Sequence, residues 1–455
     1  MRLCIVLSKV IGRRWEYASR LILMKKIMKT NRRQFLNRSL GVVGTVALAP
    51  MVSAIGPGFE QKLLEVNSLS PNELATDEEF WQFIRQAFTI SPNLINLNNG
   101  GVSPQPKVVQ DKVTHYQSVS NEGPAHYMWA VLGEEREPMR RKLAATAGCS
   151  ADNIAILRNT TEALDQIIFG FPWEKGDEVV LCTYDYPNVI NAWKQREMRD
   201  GIVLKWMDLP MPVENDDFIV KAYTDQFTLR TKLVNITQVI NWTGQILPVK
   251  KIAQAAHSRN IEVMVDGAHA FAHLVFNIPD LDCDYFGTSL HKWLFAPFGT
   301  GLLYVKADKI SKIWPLMAAP DPKSPDIRKF ENIGTRSFAV ELAISTAIDF
   351  YNMIGPARKE QRLRYLKNYW VDGIKSHPKV KLNISQKPQY SCGLGNFGIE
   401  GKKPEEIQSY LMTKYKILTT PIVWEKVSGI RVTPSVYTTI AELDLFIRAI
   451  REFAG

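Results

Sequence analysis

From about residue 150, short apolar runs alternate with stretches of helical spacing. Ile154-Ala155-Ile156-Leu157, Glu178-Val179-Val180-Leu181-Cys182, Leu233-Val234-Asn235-Ile236-Thr237 and Ile261-Glu262-Val263-Met264-Val265-Asp266 read as strands. Tyr285-Phe286-Gly287-Thr288 and Gly301-Leu302-Leu303-Tyr304-Val305 are later ones. Helical stretches follow Thr161 and Pro187, and another runs from Val249 to Ser258. Strands that are apolar on both faces and alternate with helices predict a mostly parallel sheet covered on two sides. Ligands on such a sheet sit at the carboxyl ends of its strands. Upstream, residues 55–75 show little periodicity and read as a linker or wrapping arm. Residues 76–88 read as an amphipathic helix carrying Phe80, Trp81, Phe83 and Ile84, and Asn98-Asn99-Gly100-Gly101 as a tight turn. From about 340 the pattern changes. A long helix over roughly 338–377 leads to strand-like runs near 379–384 and 394–399, then to helices near 404–414 and 441–453, as in a separate α+β unit. The expected organisation is a leader over 1–54, an arm over 55–100, a large domain over 101–340 and a small C-terminal domain over 341–455.

The chain has 455 residues and a formal net charge of +10. That charge is not spread over the body. Residues 1–54 hold eleven Lys or Arg and one acid, Glu16, so the remainder sums to zero. A neutral body is a poor electrostatic partner for polyanions, and no nucleic-acid partner is expected. The leader itself carries Asn31-Arg32-Arg33-Gln34-Phe35-Leu36, an apolar run over 40–49, and small residues at Val52-Ser53-Ala54. It resembles a bacterial twin-arginine signal with cleavage after Ala54, which implies a periplasmic or otherwise exported protein without a stable membrane anchor. Met28 offers an alternative start. The five cysteines, Cys4, Cys149, Cys182, Cys283 and Cys392, show no paired or metal-type spacing. No metal is expected.

Three motifs fall at strand ends. Asp266 closes an apolar strand ahead of Gly267-Ala268-His269. A carboxylate in such a dry crevice needs a cationic partner, for which a protonated pyridine nitrogen is suited; an ordinary turn aspartate is the alternative. Ser289-Leu290-His291-Lys292-Trp293 follows another strand. A lysine there is costly unless it is paired or converted to a Schiff base, or unless it lies in a surface loop. Arg158-Asn159-Thr160-Thr161-Glu162 joins a strand to a helix. It reads either as a plain capping box or as a phosphate cradle of backbone N–H groups and hydroxyls.

In this order and spacing the motifs resemble the class V aminotransferase family of fold type I pyridoxal-phosphate enzymes over about residues 90–450. The resemblance is to the isopenicillin-N epimerase-like subgroup, through Leu97-Asn98-Asn99-Gly100-Gly101 and the 158–162 motif. It implies an α/β fold with a seven-stranded type of sheet, pyridoxal 5′-phosphate as cofactor, an amino acid as substrate, and a homodimer. It also implies roles. Lys292 is the catalytic Schiff-base lysine, with Ser289 and His291 beside the phosphate. Thr160 and Thr161 bind the phosphate, and Asp266 faces the pyridine nitrogen. His269 and Asn241 lie near the ring hydroxyl, and Tyr186 stacks on the ring face. Thr335, after Gly334, reaches the phosphate from the other subunit. Arg431 grips the substrate carboxylate, with Asn99 and Gly100 on the substrate side.

The reaction expected from this resemblance is transamination or epimerisation, in which Lys292 moves the α-proton. Tyr186 is the candidate for a second acid/base on the opposite ring face. A carbon–sulfur lyase working by β-elimination is the alternative within the class, and a non-catalytic pyridoxal-phosphate-binding protein the alternative outside it. A nucleotide-binding enzyme is disfavoured because no G-x-G-x-x-G follows a first strand. Cysteine desulfuration is also disfavoured: residues 393–455 hold no cysteine to carry a persulfide. Residues 124–130 are the expected wall of the pocket opposite Arg431.

Overall fold

A computed structural model describes residues 58–455. The twin-arginine motif, the apolar run and the cleavage site after Ala54 lie outside the described residues. Thirteen strands are present among those described. They are β1 (Ile95–Asn96), β2 (Ile154–Leu157), β3 (Glu178–Cys182), β4 (Val203–Met207), β5 (Thr231–Thr237), β6 (Glu262–Asp266), β7 (Tyr285–Ser289), β8 (Gly301–Val305), β9 (Val380–Leu382), β10 (Gly395–Ile399), β11 (Ile417–Leu418), β12 (Thr420–Trp424) and β13 (Val427–Val432). Seven of them make one sheet in the order β2-β8-β7-β6-β5-β3-β4. β8 runs antiparallel to both its neighbours, and the other adjacent pairs are parallel.

Burial explains why these segments pair. Every residue of β2, β7 and β8 is buried, and β3 and β6 each expose only their first residue in part. The sheet is covered by helices such as Thr160–Gly170 and Pro187–Asp200, whose Leu164, Ile167, Ile168, Val189 and Trp193 pack into the core against Leu181, Met264 and Leu303. At roughly 25 cal/mol per Å² of apolar area removed from water, such a doubly covered sheet is the main source of stability. A second, antiparallel sheet, β12-β13-β10-β9, packs Phe397, Ile399, Ile430 and Val432 against the helices Pro356–Ile374 and Ile440–Ala454. The chain thus has an α/β fold of type I, with a mixed seven-stranded sheet and a smaller C-terminal antiparallel sheet. No described helix is long and apolar enough to cross a membrane.

The structure differs from the expectation in three ways. The stretch after residue 58 is not an aperiodic arm. It forms the helices Phe59–Glu65 and Pro71–Leu74, the second held by a capping box between Ser70 and Glu73, with Phe59 and Leu74 buried. The long helix near 338–377 is three helices, Phe338–Leu342, Ile344–Ile354 and Pro356–Ile374. The break at Gly355-Pro356 has a physical cause. Gly355 takes φ 93°, which side chains resist, and Pro356 has no N–H to continue the ladder. Strands β1, β4, β11, β12 and β13 were not anticipated.

Candidate active site

The turns after β2, β3, β5, β6 and β7 all open at the carboxyl edge of the large sheet, and three of the charged or hydroxyl-bearing groups there, Thr237, Asp266 and Ser289, are the last residues of strands. Asp266 is the last residue of β6 and is buried. Its Oδ1 accepts the N–H of Ala268 at 2.9 Å. Burial raises its pKa, while the Ala268 bond and the Lys292 charge oppose that rise. Lys292 follows β7 and puts its Nζ 3.4 Å from His269 Nε2. Burial pushes the lysine down to about 8, with Asp266 opposing and Arg431 adding to the shift. His269 is buried and held neutral, its pKa driven well below the usual range by burial and by the neighbouring cations. Its Nδ1 has no partner.

The helix Thr160–Gly170 points its N-terminus into the same space. Asn159 caps it by accepting the N–H of Glu162 at 2.9 Å. The reciprocal half of the capping box is replaced. The Glu162 carboxylate accepts the N–H of Arg158 at 2.7 Å and pairs with the Arg158 guanidinium. Ser289, at the end of β7, accepts the N–H of Thr160 at 2.9 Å, and their hydroxyls lie 2.7 Å apart. Gly301 permits this junction, since a Cβ there would sit 2.6 Å from the backbone nitrogen of Asn159. His291 points one ring nitrogen at the Thr300 carbonyl, 3.1 Å away.

Arg431 comes from β13 of the small sheet. It is buried, and burial pushes its pKa down to about 10. Its Nη1 donates to the Asn241 carbonyl at 3.2 Å and its Nη2 to Asn98 Oδ1 at 3.0 Å, while Nε has no partner. No described carboxylate lies within ion-pair distance of it. A buried guanidinium held only by neutral oxygens is an incomplete arrangement that an anionic ligand would complete.

The cavity enclosed by these groups measures about 470 Å³. It is lined by Gly100, Thr160, Thr161, Tyr186, Asn241, Asp266, His269, Ser289, His291, Lys292 and Arg431, which the structure thus brings together. Three expectations differ. Asn99 does not face the cavity. It is fully buried inside its own loop, donating to the carbonyls of Asn96 and Thr433 at 2.9 and 3.0 Å and accepting from Tyr437 and Asn96. Its neighbour Asn98 is the side chain that meets Arg431. Thr335 is exposed and lies outside the cavity of its own chain. Residues 124–130 likewise stand apart. Met128 packs on the cluster of Leu132, Phe338 and Leu342, and Trp129 is exposed.

The sequence reading also missed residues that the cavity uses. Trp242, Thr420 and Ile422 line it. Trp242 stacks on Trp424 at 4.9 Å between centroids and lies 6.5 Å from Tyr186 in a near-parallel arrangement. Behind the wall, Asp185 is fully buried and accepts from Cys182 N–H at 3.0 Å, Asn235 Nδ2 at 2.8 Å and the Thr237 hydroxyl at 2.7 Å. Burial raises its pKa to about 7. The only signal for these was their place, each one to six residues past a strand end or within an edge hairpin.

Comparison with known proteins gives a consistent outcome. The aminotransferase class-V family matches residues 95–443. The isopenicillin N epimerase of Streptomyces clavuligerus is 26% identical over 394 residues, covering 82% of this chain and 98% of that protein. A hercynylcysteine sulfoxide lyase of Schizosaccharomyces pombe is 23% identical over 397 residues, covering 84% of this chain and 100% of that protein. Among solved structures, the apo cysteine desulfurase of Thermococcus onnurineus NA1 superposes with a TM-score of 0.72 at 19% identity, over 82% of this chain and 97% of that one.

Proposed function

The chain belongs to the aminotransferase class-V family, whose members use pyridoxal phosphate, and from that premise we propose that it is an enzyme of amino-acid α-carbon chemistry, an epimerase or a transaminase. When bound, pyridoxal phosphate supplies an aldehyde and an electron-withdrawing pyridinium ring.

The residues present fit that group. Asp266 is a buried acid without a cation of its own in contact, suited to a protonated ring nitrogen. The helix start at Thr160 and Thr161, with Ser289 and His291, would hold the phosphate. His269 Nδ1 and Asn241 Oδ1 are buried polar atoms lacking partners, and these two residues would face the ring hydroxyl. Tyr186 would cover the ring face. The observation that carries the reading is the convergence of Lys292, Asp266 and the unpaired Arg431 on one cavity.

Each side chain then has a task. Arg431 binds the substrate carboxylate and so fixes the α-carbon relative to Lys292. Lys292, with its pKa near 8, is partly neutral at physiological pH and can take the α-proton and return it. For epimerisation, the Tyr186 phenol would deliver a proton from the other face. Persulfide chemistry finds no support. Cys182, Cys283 and Cys392 are buried, Cys149 is partly so, and none of the four lines the cavity. Burial raises the thiols of Cys149 and Cys392 to about 12 and about 11, away from the thiolate form a nucleophile needs.

Two further parts of the proposal rest on sequence. We take the enzyme to be exported by the twin-arginine route, and to act as a homodimer in which Thr335 reaches the partner's cleft. The test of function begins with colour. Purified protein should absorb near about 420 nm, as lysine-linked pyridoxal phosphate does, and borohydride should fix the chromophore on Lys292. Amino acids incubated with it in heavy water should gain deuterium at the α-carbon. Inverted amino acid, keto acid, or pyruvate with thiol then sorts epimerase from transaminase from lyase. A colourless protein that exchanges no α-proton would refute the proposal.

A further inference from the structure

The helix Pro356–Ile374 places a lysine where its buried face calls for an apolar side chain. Lys359 is fully buried, and no described carboxylate pairs with it. Burial drives its pKa well below the ordinary lysine range. Its Nζ lies 4.1 Å from the ring centroid of Phe295. For stability alone, a leucine or methionine would fill this position at less cost, because an amine taken out of water without an acid is expensive.

What the amine holds explains its presence. Lys359 Nζ donates to two carbonyl oxygens, that of Ala272 at 2.9 Å and that of Trp293. Trp293 is the residue after Lys292. Ala272 lies in the turn that follows Asp266 and contains His269. Both segments depart from relaxed backbone here, with Ala272 at φ 58° and Phe295 at φ 61°, so each needs an outside contact to stay in place. A second link runs alongside. His273 stacks on Trp293 at 3.8 Å, and its Nδ1 lies 2.8 Å from the His269 carbonyl. Its Nε2 accepts the Gly393 N–H at 2.9 Å. Lys359 itself does not line the cavity.

We infer that Lys359 is a positioning residue. By bridging the Trp293 and Ala272 carbonyls it fixes the Lys292 loop against the His269 turn and so sets the approach of the Lys292 amine to the cofactor aldehyde. An amine donates N–H bonds in either protonation state, so the bridge does not depend on charge. The inference rests on Lys292 being the cofactor-linked lysine.

The experiment adds pyridoxal 5′-phosphate to apo-protein and follows formation of the lysine linkage by absorbance. Binding of pyridoxine 5′-phosphate, which has the same phosphate but no aldehyde, is measured in parallel. Lys359→Met should link about tenfold more slowly or worse, as expected for a reacting group displaced by a fraction of an ångström to an ångström. Its affinity for pyridoxine 5′-phosphate should stay within about twofold of the parent, because the phosphate cradle is untouched. Lys359→Gln keeps two N–H donors and should recover most of the rate. A Met variant that links at the parental rate overturns the inference, as does loss of rate and pyridoxine 5′-phosphate affinity together. If Lys359→Met does not fold, Lys359→Ala, which likewise removes both donors, takes its place: linkage about tenfold slower with unchanged pyridoxine 5′-phosphate affinity supports the inference, and a parental rate overturns it. A parent protein that forms its linkage elsewhere than Lys292 sinks the cofactor assignment instead.

Discussion

Lys292 and Arg431 both sit in the cavity with their pKa values lowered by burial, and each residue makes a measurable claim. An ordinary lysine amine is mostly protonated below pH 10.5, but in the apo-protein Lys292 titrates near about 8. The neutral, nucleophilic fraction grows as pH rises through that value. The rate at which an aldehyde reagent labels Lys292 should therefore reach half its maximum near pH 8; a midpoint above 10 would show the amine to be solvated. For Arg431 the loss is one of affinity. Removing a guanidinium that binds a carboxylate through two charge-assisted bonds costs about 3 kcal/mol, or about 100-fold in affinity. Arg431→Ala should raise KM by that factor for amino acids. It should leave the binding of amines that lack the carboxylate nearly unchanged, and an equal loss for both would place the arginine elsewhere in the mechanism. Lys292, Asp266 and Arg431 were legible in the sequence because each stands in a fixed relation to a strand end or a family motif. Asn99 was not, since nothing in Asn98-Asn99 tells which amide turns outward. That was decided by the buried partners Thr433 and Tyr437, hundreds of residues away.

The hairpin β12–β13 is the element that delivers Arg431, and it is also the one the hydrophobic pattern concealed. Pro421 interrupts the first strand, and the turn residues Glu425-Lys426 lack the Asn or Gly that usually announces a tight hairpin. Glu425 nonetheless takes φ 48°. Contacts outside the hairpin hold this shape. Trp424 stacks on Trp242 and donates its indole N–H to the Thr183 carbonyl at 2.9 Å, while Trp242 donates to the carbonyl of Tyr184 at 3.0 Å. Two indoles therefore pin the hairpin to the turn that carries Tyr186. Trp424→Ala should loosen that attachment and raise KM for amino acids about tenfold, equivalent to about 1.4 kcal/mol, with Trp424→Phe in between. Unchanged KM in the alanine variant would mean that the small sheet alone orients Arg431. The helix break is the other element-scale lesson. Its residues, Gly355-Pro356, were visible, yet the apolar spacing on both sides read as one continuous helix. Gly355→Ala should lower the unfolding free energy by about 1–2 kcal/mol, read from the urea midpoint, because φ 93° is strained for any residue with a Cβ.

At the scale of the molecule, the alternation of apolar strands and helices made the large sheet legible, whereas the edge strand β4, with its first residue exposed and two others half-buried, carried too little pattern to be found. The same scale governs the loop at Thr335. In its own chain this loop is exposed, and it stands away from the cavity that the resemblance says it serves. Trp129, Phe298, Trp314 and Met317 are exposed apolar side chains of the same chain. The proposed two-fold dimer would account for this placement of the loop if each subunit lends Thr335 to its partner. The consequence can be tested by mixing two defective chains. Lys292→Ala disables the chain's own cleft. A bulky, charged replacement such as Thr335→Glu would repel the phosphate in the partner's cleft. In a mixed dimer one cleft then carries both defects and the other neither, so about one quarter of all clefts should be intact after random exchange of equal amounts. Activity recovered to about that level, from two parents that are each inactive, requires a shared site. Mixtures that exchange subunits yet remain dead, from two inactive parents, would show that Thr335 acts on the cleft of its own chain, and a Thr335→Glu parent that stays active would show that it serves neither cleft.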